Sequence, residues 1–100
     1  MLFRSALFRG AATTNTATTL YTVPAATTAI VTNIVVTNTA GASGTFTISL
    51  DGVSIATTVT VGAYDSTIID MKQALAATKI IAGGASATTI NFHISGVEVA

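Results

Sequence analysis

Thr45-Phe46-Thr47-Ile48-Ser49-Leu50, then Asp51-Gly52, then Val53-Ser54-Ile55-Ala56-Thr57-Thr58-Val59-Thr60-Val61 is the stretch that decides the fold class. Before the Asp-Gly pair, Phe46, Ile48 and Leu50 alternate with Thr45, Thr47 and Ser49. After it, Val53, Ile55, Thr57, Val59 and Val61 alternate with Ser54, Ala56, Thr58 and Thr60. A period of two held over this length places one set on each face of a strand and does not fit a helix. Asp-Gly readily takes positive φ at both positions, so the two runs predict a hairpin closed by a two-residue type I′ turn.

Toward the N-terminus, Ala29 to Asn38 reads as a strand with Ile30, Thr32, Ile34 and Val36 on one face and Val31, Asn33 and Val35 on the other. Apolar residues on both faces suit a central strand or one covered by a second protein. Leu20 to Val23 is a shorter strand that Pro24 stops, because proline has no backbone donor for a ladder. Toward the C-terminus, strands are expected around Tyr64 to Met71, at Thr78 to Ala82 and at Thr89 to Val99. Lys72 to Ala77 has room for one helical turn, and Thr39 to Gly44 and Gly83-Gly84 read as loop and turn. In the last strand Val97 and Val99 fall on the opposite parity from Ile90, Phe92 and Ile94, which a bulge near Gly96 would correct. Short strands at turn-punctuated intervals predict an all-β protein, an antiparallel β-sandwich of about seven or eight strands, with a barrel as second choice.

Residues 1–19 stand outside this pattern. Leu2-Phe3-Arg4 is repeated as Leu7-Phe8-Arg9, and an Ala-, Thr- and Asn-rich stretch from Ala11 to Thr19 follows. This reads as an extended N-terminal arm and flexible spacer leading into a β-sandwich domain at 20–100. The arm is an expected anchor: Leu2, Phe3, Leu7 and Phe8 would fill apolar pockets on a partner while Arg4 and Arg9 meet its rim. Val31 and Val35, on the second apolar face of their strand, join them as expected interface residues.

Composition points the same way. Half of the 100 residues are hydrophobic, only 8% are charged, and the formal net charge is zero. Thr, about a fifth of the chain, packs well on a pleated sheet while its hydroxyl meets water. A neutral surface short of charge gives little protection against self-association, so a face buried on a neighbour is expected. Four basic residues without a cluster argue against nucleic acid. Met1 to Gly10 is interrupted by arginines and does not read as a signal peptide, and no run approaches a membrane-spanning length. The reading is therefore of a protein made in the cytoplasm, with neither nucleic acid nor membrane as partner.

No catalytic, cofactor or metal site is legible. Cys is absent and His93 is the one histidine, so a metal site lacks its ligand set. Asp65 and Asp70 fall on opposite faces of a regular strand, which rules out a close carboxylate pair. None of Ser43, Ser49, Ser54, Ser66 or Ser95 sits in a strand-turn-helix elbow, and Gly41 to Gly44 and Gly83-Gly84 lack the residues of a phosphate loop. The expectation is a protein that is not an enzyme.

Leu20-Tyr21-Thr22-Val23-Pro24-Ala25, Ile30-Val31-Thr32-Asn33-Ile34-Val35-Val36, Asn38-Thr39 and the ending Ser95-Gly96-Val97-Glu98-Val99 resemble small virion structural proteins of tailed bacteriophages. The resemblance spans Leu20 to Val99. It implies a β-sandwich added to the particle, foremost a capsid decoration (cement) protein that binds and stabilises the major-capsid lattice as a homo-oligomer, with a trimer as the suggested arrangement. The partner would be the major capsid protein or another virion protein. A tail, neck or fibre-associated component is the alternative. A carbohydrate-binding module ranks below both, since Trp is absent and Tyr21 and Tyr64 are the only tyrosines.

Overall fold

A computed structural model describes the backbone of residues 2–99 and the side chains of residues 6–99. Eight strands follow one another: β1 (Leu2–Ala11), β2 (Thr19–Thr22), β3 (Thr28–Asn38), β4 (Gly44–Leu50), β5 (Val53–Val61), β6 (Ser66–Leu75), β7 (Ile80–Ala85) and β8 (Ile90–Val99). They form two antiparallel four-stranded sheets, ordered β1-β8-β3-β6 and β2-β7-β4-β5. Only β4 and β5 are consecutive strands paired within a sheet; every other connection crosses between sheets or strands of the sandwich. This winding is that of an eight-stranded jelly roll, a double-sheet sandwich of two Greek keys.

The β4–β5 hairpin closes at the expected turn, but the strict alternation expected of β5 does not hold: two register shifts set Ala56 opposite Ile48 on the core side and leave Ile55 exposed. Leu50 pairs with Val53, and Asp51 and Gly52 adopt φ of 52° and 76°, both in the left-handed region. Phe46, Ile48 and Leu50 are buried while Thr45, Thr47 and Ser49 face outward and are half-buried. Between the sheets Phe46 meets Phe92 of β8 edge to face, with ring centroids 6.2 Å apart. Ile34, Ile48, Ile81, Ile90 and Ile94 complete the centre of the core.

The segment expected as an arm is a strand of the sandwich. β1 pairs with β8 from Leu2↔Val99 to Ala11↔Asn91, with a register shift between Ala6 and Phe8 that sets Leu7 in a bulge. The bulge explains why a Leu-Phe repeat misled: Leu7 is buried, and its neighbour Phe8 packs against the same core. Nor is the spacer loose. Thr13 and Thr18 accept backbone hydrogen bonds from Ala85 and Gly83 of β7 (2.8 and 2.9 Å), and the Asn15 side chain accepts one from Ala17 N–H (2.9 Å). The division into an arm at 1–19 and a domain at 20–100 therefore does not describe this fold.

Three further expectations change. Gly83 and Gly84 lie inside β7 rather than in a turn, because backbone passes too close for a side chain: a Cβ on Gly84 would meet the Asn15 carbonyl oxygen at 2.5 Å, and one on Gly83 the Thr47 oxygen at 2.6 Å. No helical turn forms at Lys72 to Ala77, since β6 continues to Leu75. The bulge expected near Gly96 lies instead in the strands flanking it, at Leu7 in β1 and at Thr32 in β3. β8 alternates without interruption, burying Ile90, Phe92, Ile94 and Gly96 and turning Val97 outward. A Cβ on Gly96 would collide with the Ile30 carbonyl oxygen and the Leu7 side chain, so the glycine makes room for the row of bulges.

Each end of the sandwich is tied by specific polar contacts. At one, the buried Asn38 side chain donates to the carbonyls of Ala42, Val61 and Gly62 (2.8, 3.3 and 3.2 Å) and accepts from Ala40 N–H (3.0 Å), joining the loops after β3 and β5. At the other, the Tyr21 hydroxyl of β2 donates to Glu98 Oε2 of β8 at 2.8 Å, linking the two sheets. Burial first, then this hydrogen bond and the carboxylate charge, push the Tyr21 phenol up to about 12.

Candidate functional site

With the core filled by inward-facing residues, what the sandwich presents to the outside is set by strand register. On the sheet β1-β8-β3-β6, the bulge at Thr32 inverts the parity of β3, so Val31 turns into the core while Ile30 and Val35 face outward. Cross-strand pairing then builds outward rows. Arg9, His93, Val35 and Ile68 form one, the neighbouring row carries Ala6, Ser95, Asn33 and Asp70, and the row beyond the bulges brings Val97, Ile30 and Ala74 together. Ile68 is 64% exposed, and Val35, Ile30 and Val97 are half-buried. The result is a band of apolar side chains bordered by Arg9 on β1 and Asp70 on β6. The β6 bulge opens a shallow depression at its edge, lined by Thr32, Asp70, Met71 and Lys72.

The other sheet faces outward with hydroxyls. Thr45, Thr47, Ser49, Ser54 and Thr60 lie on it, and the chain engages two of these hydroxyls itself: Thr47 Oγ1 accepts from Thr58 N–H (3.0 Å) and Ser49 Oγ donates to the Ala82 carbonyl (3.5 Å). Val53 and Ile55, two exposed apolar residues of β5, sit near the hairpin tip, apart from the first face.

The expected interface residues separate under this geometry. Leu7 and Val31 are buried, and Phe8 packs on the core, so these three serve the fold rather than a partner. Arg9 and Val35 share the outward row just described. Leu2, Phe3 and Arg4 have backbone places in β1, opposite Val99, Glu98 and Val97, and their side chains lie outside the described residues. Sequence reading missed Ile68, Ile30 and Val97 as surface residues. The signal was an extra residue in β3, invisible in a chain whose two faces are both apolar. Among the described residues no group of three His, Cys, Asp or Glu side chains lies together as a metal site would require.

Comparison with known proteins finds no matching family and no matching curated protein. Among solved structures, the chain is similar from end to end to one in the acidic stable capsid structure of Helicobacter pylori bacteriophage KHP30, with a TM-score of 0.51 and 11% identity over 100% of this chain and 99% of that one. The likeness is one of fold. A pentameric capsid protein isolated from metagenomic phage sequences matches more remotely, at a TM-score of 0.35 and 16% identity, over 97% of this chain and 58% of that one.

Proposed function

We propose that this chain is a structural protein of a phage virion, a decoration (cement) protein that binds the major-capsid lattice and stabilises it without turning over a substrate. The observation that carries the reading is the end-to-end correspondence of the jelly roll with a chain of the KHP30 capsid structure. Composition supports it independently. A chain with 8% charged residues and no net charge is poorly suited to free solution and well suited to contact with neighbouring protein. The mechanism is mechanical: repeated modest contacts, multiplied over several attachment points, give tight retention on the shell.

The test is co-sedimentation of the purified, folded chain with phage heads that lack it, followed by imaging of the decorated particles. Saturable binding to the shell at lattice-related positions, with a raised temperature of particle rupture, is the expected result. Binding to tails but not heads would replace the decoration role by a tail or neck role, and failure to bind any part of the particle would remove the virion reading.

A further inference from the structure

We infer that the outward face of β1-β8-β3-β6 is a self-association surface, on which a second copy of this chain packs face to face about a two-fold axis parallel to the strands. Three observations lead there. First, the sheet edges are blunted. β2 has four residues, β1 is interrupted at Leu7, β6 at Met71 and Lys72, and β5 at two places, one of them Thr58 with φ of 50°. Bulged and short edge strands are poor templates for adding another strand, which directs association to faces.

Second, the face is self-complementary. Arg9 borders it on β1 and Asp70 borders it on β6, and neither side chain has an ion pair or hydrogen bond among the described residues, where Lys79–Asp51 at 3.7 Å is the one salt bridge. A two-fold axis along the strands lays β1 of one copy over β6 of the other, and does so twice. Arg9 pairs across the sheet with the row of Ile68, two residues from Asp70, so the offset along the strand is about 6.7 Å, within the reach of an arginine side chain. The axis encloses Val35, Ile68, Ile30 and Val97 between the borders, with His93 beside Arg9, while Lys72 stands outside on the bulge. Axes that put β1 over β1 would oppose arginine to arginine.

Third, the size is adequate. Four strands about 4.8 Å apart and about 33 Å long give roughly 600 Å² of plan area, or about 1,200 Å² for the pair, at the lower bound of specific interfaces. Sheets stacked in this way cross at about 30°. The arrangement is a dimer, in place of the trimer that the sequence resemblance suggests.

Sedimentation velocity on the isolated full chain tests this apart from any particle, so its outcome is independent of the virion reading. The wild-type chain should dimerise reversibly, and Ile68→Asp should be monomeric with an unchanged circular dichroism spectrum and melting temperature. Arg9→Asp and Asp70→Arg should each raise the dissociation constant about tenfold, with the combined exchange recovering most of the loss. A wild-type chain that stays monomeric at every soluble concentration overturns the inference. So does a trimer or larger ring that Ile68→Asp leaves intact, or a double exchange no better than the single ones.

Discussion

The two outward faces of this jelly roll are built from the same kind of strand and differ in who covers them. On the β2-β7-β4-β5 side, the chain returns against its own sheet: residues 13–18 hydrogen-bond to β7, and Gly84 is buried beneath the backbone of Thr13 and Asn15. The hydroxyls that remain outward there meet water or the chain's own amides. On the β1-β8-β3-β6 side none of the described residues returns over the sheet, yet Ile68, Val35, Ile30 and Val97 point outward. An isolated exposed aliphatic residue needs no explanation, but a bordered band of them does. The difference shows that low charge alone does not mark an interface, since the covered face presents only hydroxyls at Thr45, Thr47, Ser49, Ser54 and Thr60 while the open one holds Arg9 and Asp70. What distinguishes them is whether the chain has already supplied the cover.

Breaking the closed face should have the largest effect. Gly84→Val places a branched side chain where a Cβ would already lie 2.5 Å from the Asn15 oxygen and 2.8 Å from that of Thr13. These are backbone atoms in a hydrogen-bonded turn, so they cannot step aside as a flexible side chain would. The variant should lose at least about 3 kcal/mol in urea unfolding, at the upper end of overpacking costs, and should expose the 13–18 segment to protease. A stable variant with an intact segment would mean that the cover is dispensable.

How far the sequence was legible follows from where the strands are regular. In β5 bulges around Ile55 and Thr58 break the expected alternation, while the turn and β4 were readable residue by residue, because strict alternation and a two-residue turn admit one register. β3 and β1 were not, because one extra residue at Thr32 and at Leu7 reverses every face beyond it, and the bulges lie side by side across the sheet, where no single-strand pattern records them. Gly83-Gly84 carried the signature of a turn, yet glycine also permits close backbone approach, and only residues distant in sequence, Thr47 beside Gly83 and Thr13 and Asn15 over Gly84, decide between the two meanings. The candidate surface inherited these errors: Val35 and Arg9 do face outward, while Ile68 was assigned to a strand without a face.

Leu7→Ala probes the open side from within. The bulge turns Leu7 inward, 9% exposed and against Gly96, so the outer face of β1 is left to Ala6 and Arg9. Truncation should destabilise the fold by about 2–3 kcal/mol, the lower part of the range for buried leucine because β1 is an edge strand. Chemical denaturation measures it. If the variant instead unfolds like the wild type and only loses binding to a partner, Leu7 is an anchor and β1 is detachable.

The seam between the sheets gives a smaller, pH-dependent effect. The Tyr21 phenol is raised from 10.0 to about 12 in the folded chain, chiefly by burial and then by Glu98. A folded-state pKa above the unfolded one means the contribution is fully present below pH 10 and disappears as pH rises toward 12. Because Tyr21 is only half-buried, solvent screening reduces the contribution to about 1 kcal/mol. The wild-type chain should lose that much more stability than Tyr21→Phe between pH 10 and 12, read from urea midpoints. Parallel pH curves for the two proteins would show that the seam does not depend on this hydroxyl.

The smallest effect on stability should come from the middle of the open face, and it separates a residue that builds the fold from one that the fold presents. Ile68 is 64% exposed, whereas Ile94, on the inward side of the same sheet, is fully buried. The same substitution at each site therefore asks a different question. Ile94→Thr buries a hydroxyl among apolar neighbours and removes a packed methyl, for a cost of about 3 kcal/mol. Ile68→Thr exchanges one β-branched residue for another on a water-exposed strand surface and should stay within about 0.5 kcal/mol of wild type. Unfolding must be followed at low protein concentration, where any association through this face is dissociated and cannot add to the apparent stability of the wild type. A cost at Ile68 approaching that at Ile94 under those conditions would mean that the chain covers this face after all, and the contrast between the two sides of the sandwich would fall.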